Sequence, residues 1–174
     1  MTTAREKPLL AVDIDGVISI FASESGFDAQ MSQPGRFEYR LIDGIPHCIS
    51  LAAGDRLRRM RPHFEMFWAS GWEDRANDHL PDLLGVPELP WLKLEGTPSD
   101  DRHWKLEPID RYAANRPLAW IDDALDRECF EWARSRSAPT LLLETDPRHG
   151  FEETHAEVLL QWVDSGFILE ETDR

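Results

Sequence analysis

The chain is poor in several things, and each scarcity narrows the field. Its 174 residues include only two cysteines, Cys48 and Cys129, far apart in sequence. They form no metal-spaced or redox pair, which excludes a disulfide scaffold or a thiol metal site, and reduced thiols are expected. No stretch approaches ~18 consecutive apolar residues, so a membrane-spanning helix is excluded. The opening residues, MTTAREKP, lack the apolar segment of a secretory signal, and a cytoplasmic location is expected. Repeats, low-complexity segments and linkers are absent. Positive charge is also scarce: 19 Lys+Arg against 33 Asp+Glu leave a net charge of −14. Such a field repels polyanions, so broad electrostatic binding of DNA or RNA is disfavoured. A local basic cluster of Arg56, Arg58, Arg59 and Arg61 reads more readily as a solvated helix face than as a binding patch.

What remains is enough for one core. A chain of this length suits a single domain over residues 1–174 and buries roughly 68–70% of its unfolded surface. The 41% hydrophobic content and seven tryptophans agree. Apolar segments alternate with helical ones throughout. PLLAVDI reads as a strand buried on both faces, because its apolar run is continuous rather than alternating. After the loop ASESGFDAQMSQPG, FEYRLIDGIPHCIS reads as a hairpin about Asp43-Gly44, a strong turn dipeptide. A short helix is expected over 53–61, a second buried strand at HFEMFWAS, and a helix over 73–84 ended by Gly85 and Pro87. WLKLEG then reads as a short strand, KLEPIDRYAANR as a helix and PLAWIDD as another buried strand. A helix over 125–136, the strand TLLLET and the helix FEETHAEVLLQWVDSG complete the chain. The alternation predicts an α/β fold: a three-layer, Rossmann-like parallel sheet with helices on both faces.

In such a sheet, ligands bind outside the carboxyl ends of the strands. Three buried strands end in polar residues: Asp13 and Asp15 on the first, Ser70 on the second, Asp122 and Asp123 on PLAWIDD. If those strands are neighbours, the groups converge on one crevice. Four carboxylates together need a cation, and an oxygen-rich set suits Mg²⁺. Bound Mg²⁺ invites a phosphoryl group, and Lys105 is the lysine best placed to help. One N-terminal aspartate could then attack phosphorus while the other serves as general acid and base. Plainer readings exist for each residue. Aspartate before glycine often starts a turn. Ser70-Gly-Trp-Glu73 fits a helix capping box, Asp122 and Asp123 could cap the helix at 125, and Lys105 alone could be a surface lysine.

In order and placement, these residues resemble the haloacid dehalogenase (HAD) superfamily of aspartate-nucleophile phosphotransferases. Its first motif matches Asp13-Ile-Asp15-Gly16-Val17, its second Ser70 in FEMFWAS, its third Lys105, and its fourth Asp122 and Asp123 in AWIDD. The resemblance implies Asp13 as nucleophile and Asp15 as general acid and base. Ser70 with Gly71, and Lys105, would hold the phosphoryl group. Asp13, Asp15 through its carbonyl, Asp122 and Asp123 would hold Mg²⁺. An acid at the Asp15 position points to phosphatase or phosphomutase chemistry within the superfamily. A closer likeness, carried by WASGWEDRAN, RPLAWIDD and DPRHGFEETH, is to the small HAD domain of bacterial Swiss Army Knife RNA-repair proteins. It implies phosphate removal from a nucleotide or a nucleic-acid end, which the net charge does not favour.

Members of the superfamily often select substrates with a cap after the first motif. Here residues 17–50 leave room only for a loop and one hairpin, which resembles a minimal cap or flap. Trp72 could stack on a flat substrate group or pack against the flap. His47, His103, His149 and His155 have no metal-like spacing and read as surface or capping residues. The expected activity is Mg²⁺-dependent phosphomonoester hydrolysis through an aspartyl-phosphate, acting on a small phosphorylated metabolite or nucleotide. The alternatives are nucleic-acid end processing and a non-catalytic binding module of the same fold.

Overall fold

The apolar run near the start becomes β1 (Leu9–Val12), with all four side chains buried. The structure, a computed structural model, describes residues 6–21, 36–94 and 103–167. In chain order there follow β2 (Ser19–Ile20), β3 (Phe37–Ile42), β4 (Ile45–Ser50), α1 (Leu51–Met60), β5 (Glu65–Trp68), α2 (Arg75–His79) and α3 (Pro81–Leu84). The second half supplies α4 (Leu106–Ala113), β6 (Leu118–Asp122), α5 (Arg127–Ser135), β7 (Thr140–Glu144) and α6 (Glu153–Asp164). The loop ASESGFDAQMSQPG lies outside the described residues.

Four strands form one parallel sheet in the order β5-β1-β6-β7. Because successive strand residues point to opposite faces, β1 divides its side chains between two cores. Leu10 and Val12 meet Leu57 and Met60 of α1 and Leu159 and Trp162 of α6. Leu9 and Ala11 meet Leu106 and Ile109 of α4 and Cys129 of α5. A strand covered by helices on both faces needs an apolar residue at every position, which is why β1 and β6 show no alternation. The protein is therefore an α/β protein whose parallel sheet is flanked by helices, an arrangement compatible with a Rossmann-like fold. Among the described residues no helix is long and apolar enough to cross a membrane.

The local chemistry explains most boundaries. Ser50 caps α1 by accepting the Ala53 N–H at 3.2 Å, so the helix starts two residues before the expected 53. Gly54 lets α1 pack closely on α3, since a Cβ there would stand 2.9 Å from the Leu84 backbone. Asp126, not Asp122 or Asp123, caps α5 through the Cys129 N–H. The hairpin turns at Asp43-Gly44, both with positive φ, as a tight two-residue turn requires. The basic helix face is consumed internally: Arg56 and Arg59 pair with Glu153 and Arg58 with Asp55.

Three expectations are corrected. The helix over 73–84 divides into α2 and α3, because Pro81 lacks the N–H that a continuous helix needs and begins a new turn instead. WLKLEG is not a strand over its described part: Trp91 makes one isolated bridge to Trp68. Pro90 accepts the Trp68 N–H at 2.8 Å but has no N–H to return, so no ladder propagates from it. The hairpin also gains a partner the sequence did not advertise. The two-residue β2 pairs with β4, making a three-stranded antiparallel sheet in the order β2-β4-β3.

Candidate active site

The chain begins in the middle of the parallel sheet. From β1 it crosses to β5 on one side, then passes to β6 on the other, so the connections diverge between β1 and β6. A crevice at the carboxyl ends of the strands opens at such a switch point. Asp13 follows β1 and Asp122 ends β6, so the two flank it. The ladder continues far enough to fix them, since the Asp13 N–H donates to the Ile121 carbonyl at 3.0 Å.

Lys105, immediately before α4, reaches into this crevice and bridges the two acids. Its Nζ stands 2.9 Å from Asp13 Oδ1 and 2.7 Å from Asp122 Oδ2. All three residues are buried, with Asp122 wholly inaccessible. Asp122 Oδ2 also accepts the Trp120 indole N–H at 3.1 Å, and Oδ1 accepts the Ala124 N–H at 3.0 Å. Buried charges persist only when paired and hydrogen-bonded, and this set meets that condition. The half-buried Asp123 completes the group: Asp13, Asp122 and Asp123 each offer an oxygen within 4.8 Å of the others.

Three carboxylates against one ammonium leave an excess of negative charge, and the proton affinities record it. Burial pushes Asp13 up to about 7, Asp122 adds to the rise, and Lys105 opposes it. Burial also raises Asp123, again with help from Asp122. Burial works against the charge on Lys105, but Asp13 and Asp122 together hold its pKa above the ordinary lysine value. An all-oxygen set with surplus negative charge fits a hard divalent cation, without selecting Mg²⁺ among such ions.

The turn after β1 is shaped around this group. Gly16 has φ +75°, and a Cβ there would stand 2.3 Å from Asp123 Cγ, so only glycine leaves that carboxylate its place. Thr145, after β7, donates its hydroxyl to the Gly16 carbonyl at 2.9 Å and its N–H to the Asp122 carbonyl at 3.0 Å. It ties the turn to β6. Sequence reasoning passed over Thr145, which ends an unremarkable strand.

Asp15 goes elsewhere. Its Oδ2 accepts the Trp72 indole N–H at 2.9 Å, and its Oδ1 lies 3.8 Å from His47 Nδ1. Its carboxylate is thus separate from the acidic cluster and lines a cleft of about 260 Å³ between the hairpin and the segment after β5. Ser70 is buried at the end of β5, and its hydroxyl accepts the Trp72 N–H at 3.5 Å. The capping-box reading of Ser70 and Glu73 is not what forms. Glu73 has a positive φ and accepts the Leu94 N–H at 2.8 Å. Gly71 is exposed beside the cleft. Trp72 is nearly buried, so little of its ring face is open for stacking. His47, read from sequence as a surface or capping residue, instead packs edge-on against Trp72 at 4.7 Å between ring centroids. Nothing in its spacing signals this; only the fold of the hairpin does. His155 does cap a helix, accepting the Glu152 N–H at the start of α6.

The fold and the cluster together define a class: an α/β protein with a buried, lysine-bridged acidic group at the switch point of its sheet. Comparison with protein-family models and with curated proteins finds no match to this chain.

Proposed function

We propose that the protein is a Mg²⁺-dependent phosphomonoester hydrolase of the HAD type, working through an aspartyl-phosphate on Asp13. The observation that carries the reading is the Lys105 bridge between Asp13 and Asp122 at the switch point, with Asp123 beside them. Asp13, Asp122 and Asp123, with the Asp15 carbonyl, would hold Mg²⁺, which supplies positive charge against the phosphoryl oxygens.

Within this reading, Lys105 opposes the rise that burial imposes on Asp13 and so favours its ionised, nucleophilic form. It also gives a phosphoryl oxygen a cation to approach, alongside Ser70 and Gly71. A carboxylate oxygen of Asp13 bonds to phosphorus as the ester oxygen departs, and Asp15 gives that oxygen its proton. Asp15 then takes a proton from water, whose oxygen attacks phosphorus and releases phosphate and Asp13. The placement of Asp15 on the cleft, away from the acidic cluster, suits a group that must meet a leaving group. The net charge of −14 favours a small phosphorylated metabolite or nucleotide over a polyanion.

The test is hydrolysis of a panel of sugar phosphates, nucleotides and end-phosphorylated oligonucleotides with and without Mg²⁺. Activity that depends on Mg²⁺ and is lost in Asp13→Asn is expected, because members of a catalytic unit are not individually dispensable. Mg²⁺ with beryllofluoride should raise the Tm of the wild-type protein and leave that of Asp13→Asn unmoved. No turnover on any ester, or full turnover by Asp13→Asn, refutes the proposal.

A further inference from the structure

Asp15 is the one acid of the first motif that does not join the buried cluster, and the structure gives a cause for its departure. Only one residue separates it from Asp13, yet its carboxylate is not among the oxygens of Asp13, Asp122 and Asp123 that gather within 4.8 Å of one another. Two contacts hold it elsewhere. The Trp72 indole N–H donates to Oδ2 at 2.9 Å. His47 Nδ1 lies 3.8 Å from Oδ1, beyond hydrogen-bond reach, and that buried oxygen has no hydrogen-bond partner among the described residues.

Trp72 is itself fixed from the hairpin. His47, on β4, packs its ring against the indole, and Ser19 on β2 shares a hydrogen bond of 2.9 Å with His47 Nδ1. Arg75, three residues beyond Trp72, pairs with Asp43 at the hairpin turn. Two segments distant from Asp15 in sequence, the hairpin and the stretch after β5, thus converge on its carboxylate. Asp15, His47, Trp72, Arg75 and Asp43 wall the cleft into which a leaving group would emerge, with Ile42 and Ile45 as its apolar side.

We infer that Trp72, braced by His47, is a positioning residue that holds Asp15 on the leaving-group side of the site and out of the cation cluster. This inference rests on the phosphatase reading. The proton balance is unchanged: Asp15 loses a proton to the departing ester oxygen and regains one from water, while Trp72 keeps its own N–H throughout. What Trp72 contributes is the place where that exchange occurs.

The need for a positioned acid depends on the leaving group, and that separates positioning from mere support. A nitrophenolate departs without a proton, whereas an alkoxide requires one. Trp72→Phe keeps a ring in the core but removes the N–H. With Mg²⁺, its kcat on an alkyl phosphate should fall about tenfold or more beyond its fall on p-nitrophenyl phosphate, a part of the ~10²–10⁴-fold general-acid effect. A readout independent of turnover is the Trp72 indole N–H resonance, assigned by its loss in Trp72→Phe. It should move upfield in Asp15→Asn, where the chain keeps Trp72 and the bond loses its charged acceptor. Equal losses on the two esters, or an indole resonance that ignores Asp15→Asn, overturn the positioning role alone. A wild-type protein that hydrolyses neither ester overturns the phosphatase reading and this inference with it.

Discussion

Lys105→Met offers the sharpest test of the buried cluster, because it removes one charge and nearly nothing else. Methionine matches the aliphatic stem but leaves Asp13 and Asp122 facing each other across the switch point. The lysine and its two partners have side chains only 5%, 6% and 0% exposed, so water cannot screen what remains. Asp122 keeps the N–H groups of Trp120 and Ala124. Asp13 loses its ammonium partner. Breaking a buried ion pair from one side costs about 3–5 kcal/mol. In a domain of this size that lowers Tm by roughly 6–20 °C.

The loss should depend on pH in a fixed direction. Burial already holds Asp13 at about 7, above its unfolded value, and the variant lacks the opposing ammonium. A carboxyl whose folded pKa is raised binds its proton more firmly when folded, so stability falls as pH climbs from the unfolded value toward the folded one. The deficit of Lys105→Met should therefore be smaller near pH 5 than near pH 8. Divalent cation should raise the variant's own stability at the higher pH, by ~2.7 kcal/mol at a hundredfold excess over its Kd. Thermal unfolding followed by circular dichroism, at both pH values with and without Mg²⁺, reads all three effects. A deficit below about 1 kcal/mol, against the ~3–5 kcal/mol expected, or one that is equal at the two pH values, would refute the account of a charge-balanced cluster.

Gly16→Ala should be costly beyond its size. The positive φ and the 2.3 Å approach to Asp123 Cγ predict a loss of about 1–3 kcal/mol in stability, with weaker Mg²⁺ binding by calorimetry. Wild-type Mg²⁺ affinity would argue that Asp123 is not a ligand. Ser50→Ala removes the cap of α1 and should lower urea-unfolding stability by about 1 kcal/mol with an unchanged m-value. A neutral result would mean that packing of Leu57 and Met60 alone sets where α1 begins.

The continuous apolar runs of β1 and β6 announced buried strands, and the acids at their ends announced a crevice. Those signals are local, so they could be read without the fold. The fate of WLKLEG could not be read the same way, because its apolar residues fit either a strand or a packed loop. Pro90 and a single available edge on β5 decided for the loop. The Pro81 break was legible in principle, since an internal proline removes a helical donor. The third strand of the hairpin sheet was not, because two residues are too short to show a period.

By itself, then, the sequence determined the alternation of strands and helices, the Asp43-Gly44 turn and the candidate acids Asp13, Asp15, Asp122 and Asp123. These follow from side-chain periodicity and turn chemistry, which act over a few residues. Tertiary structure alone decided that β1 lies against β6, that Lys105 falls between Asp13 and Asp122, and that Asp15 turns away to Trp72 and His47. Each of those contacts joins residues 17 or more positions apart. Their pairing is set by strand order and by the close packing of the hairpin, which no local pattern encodes.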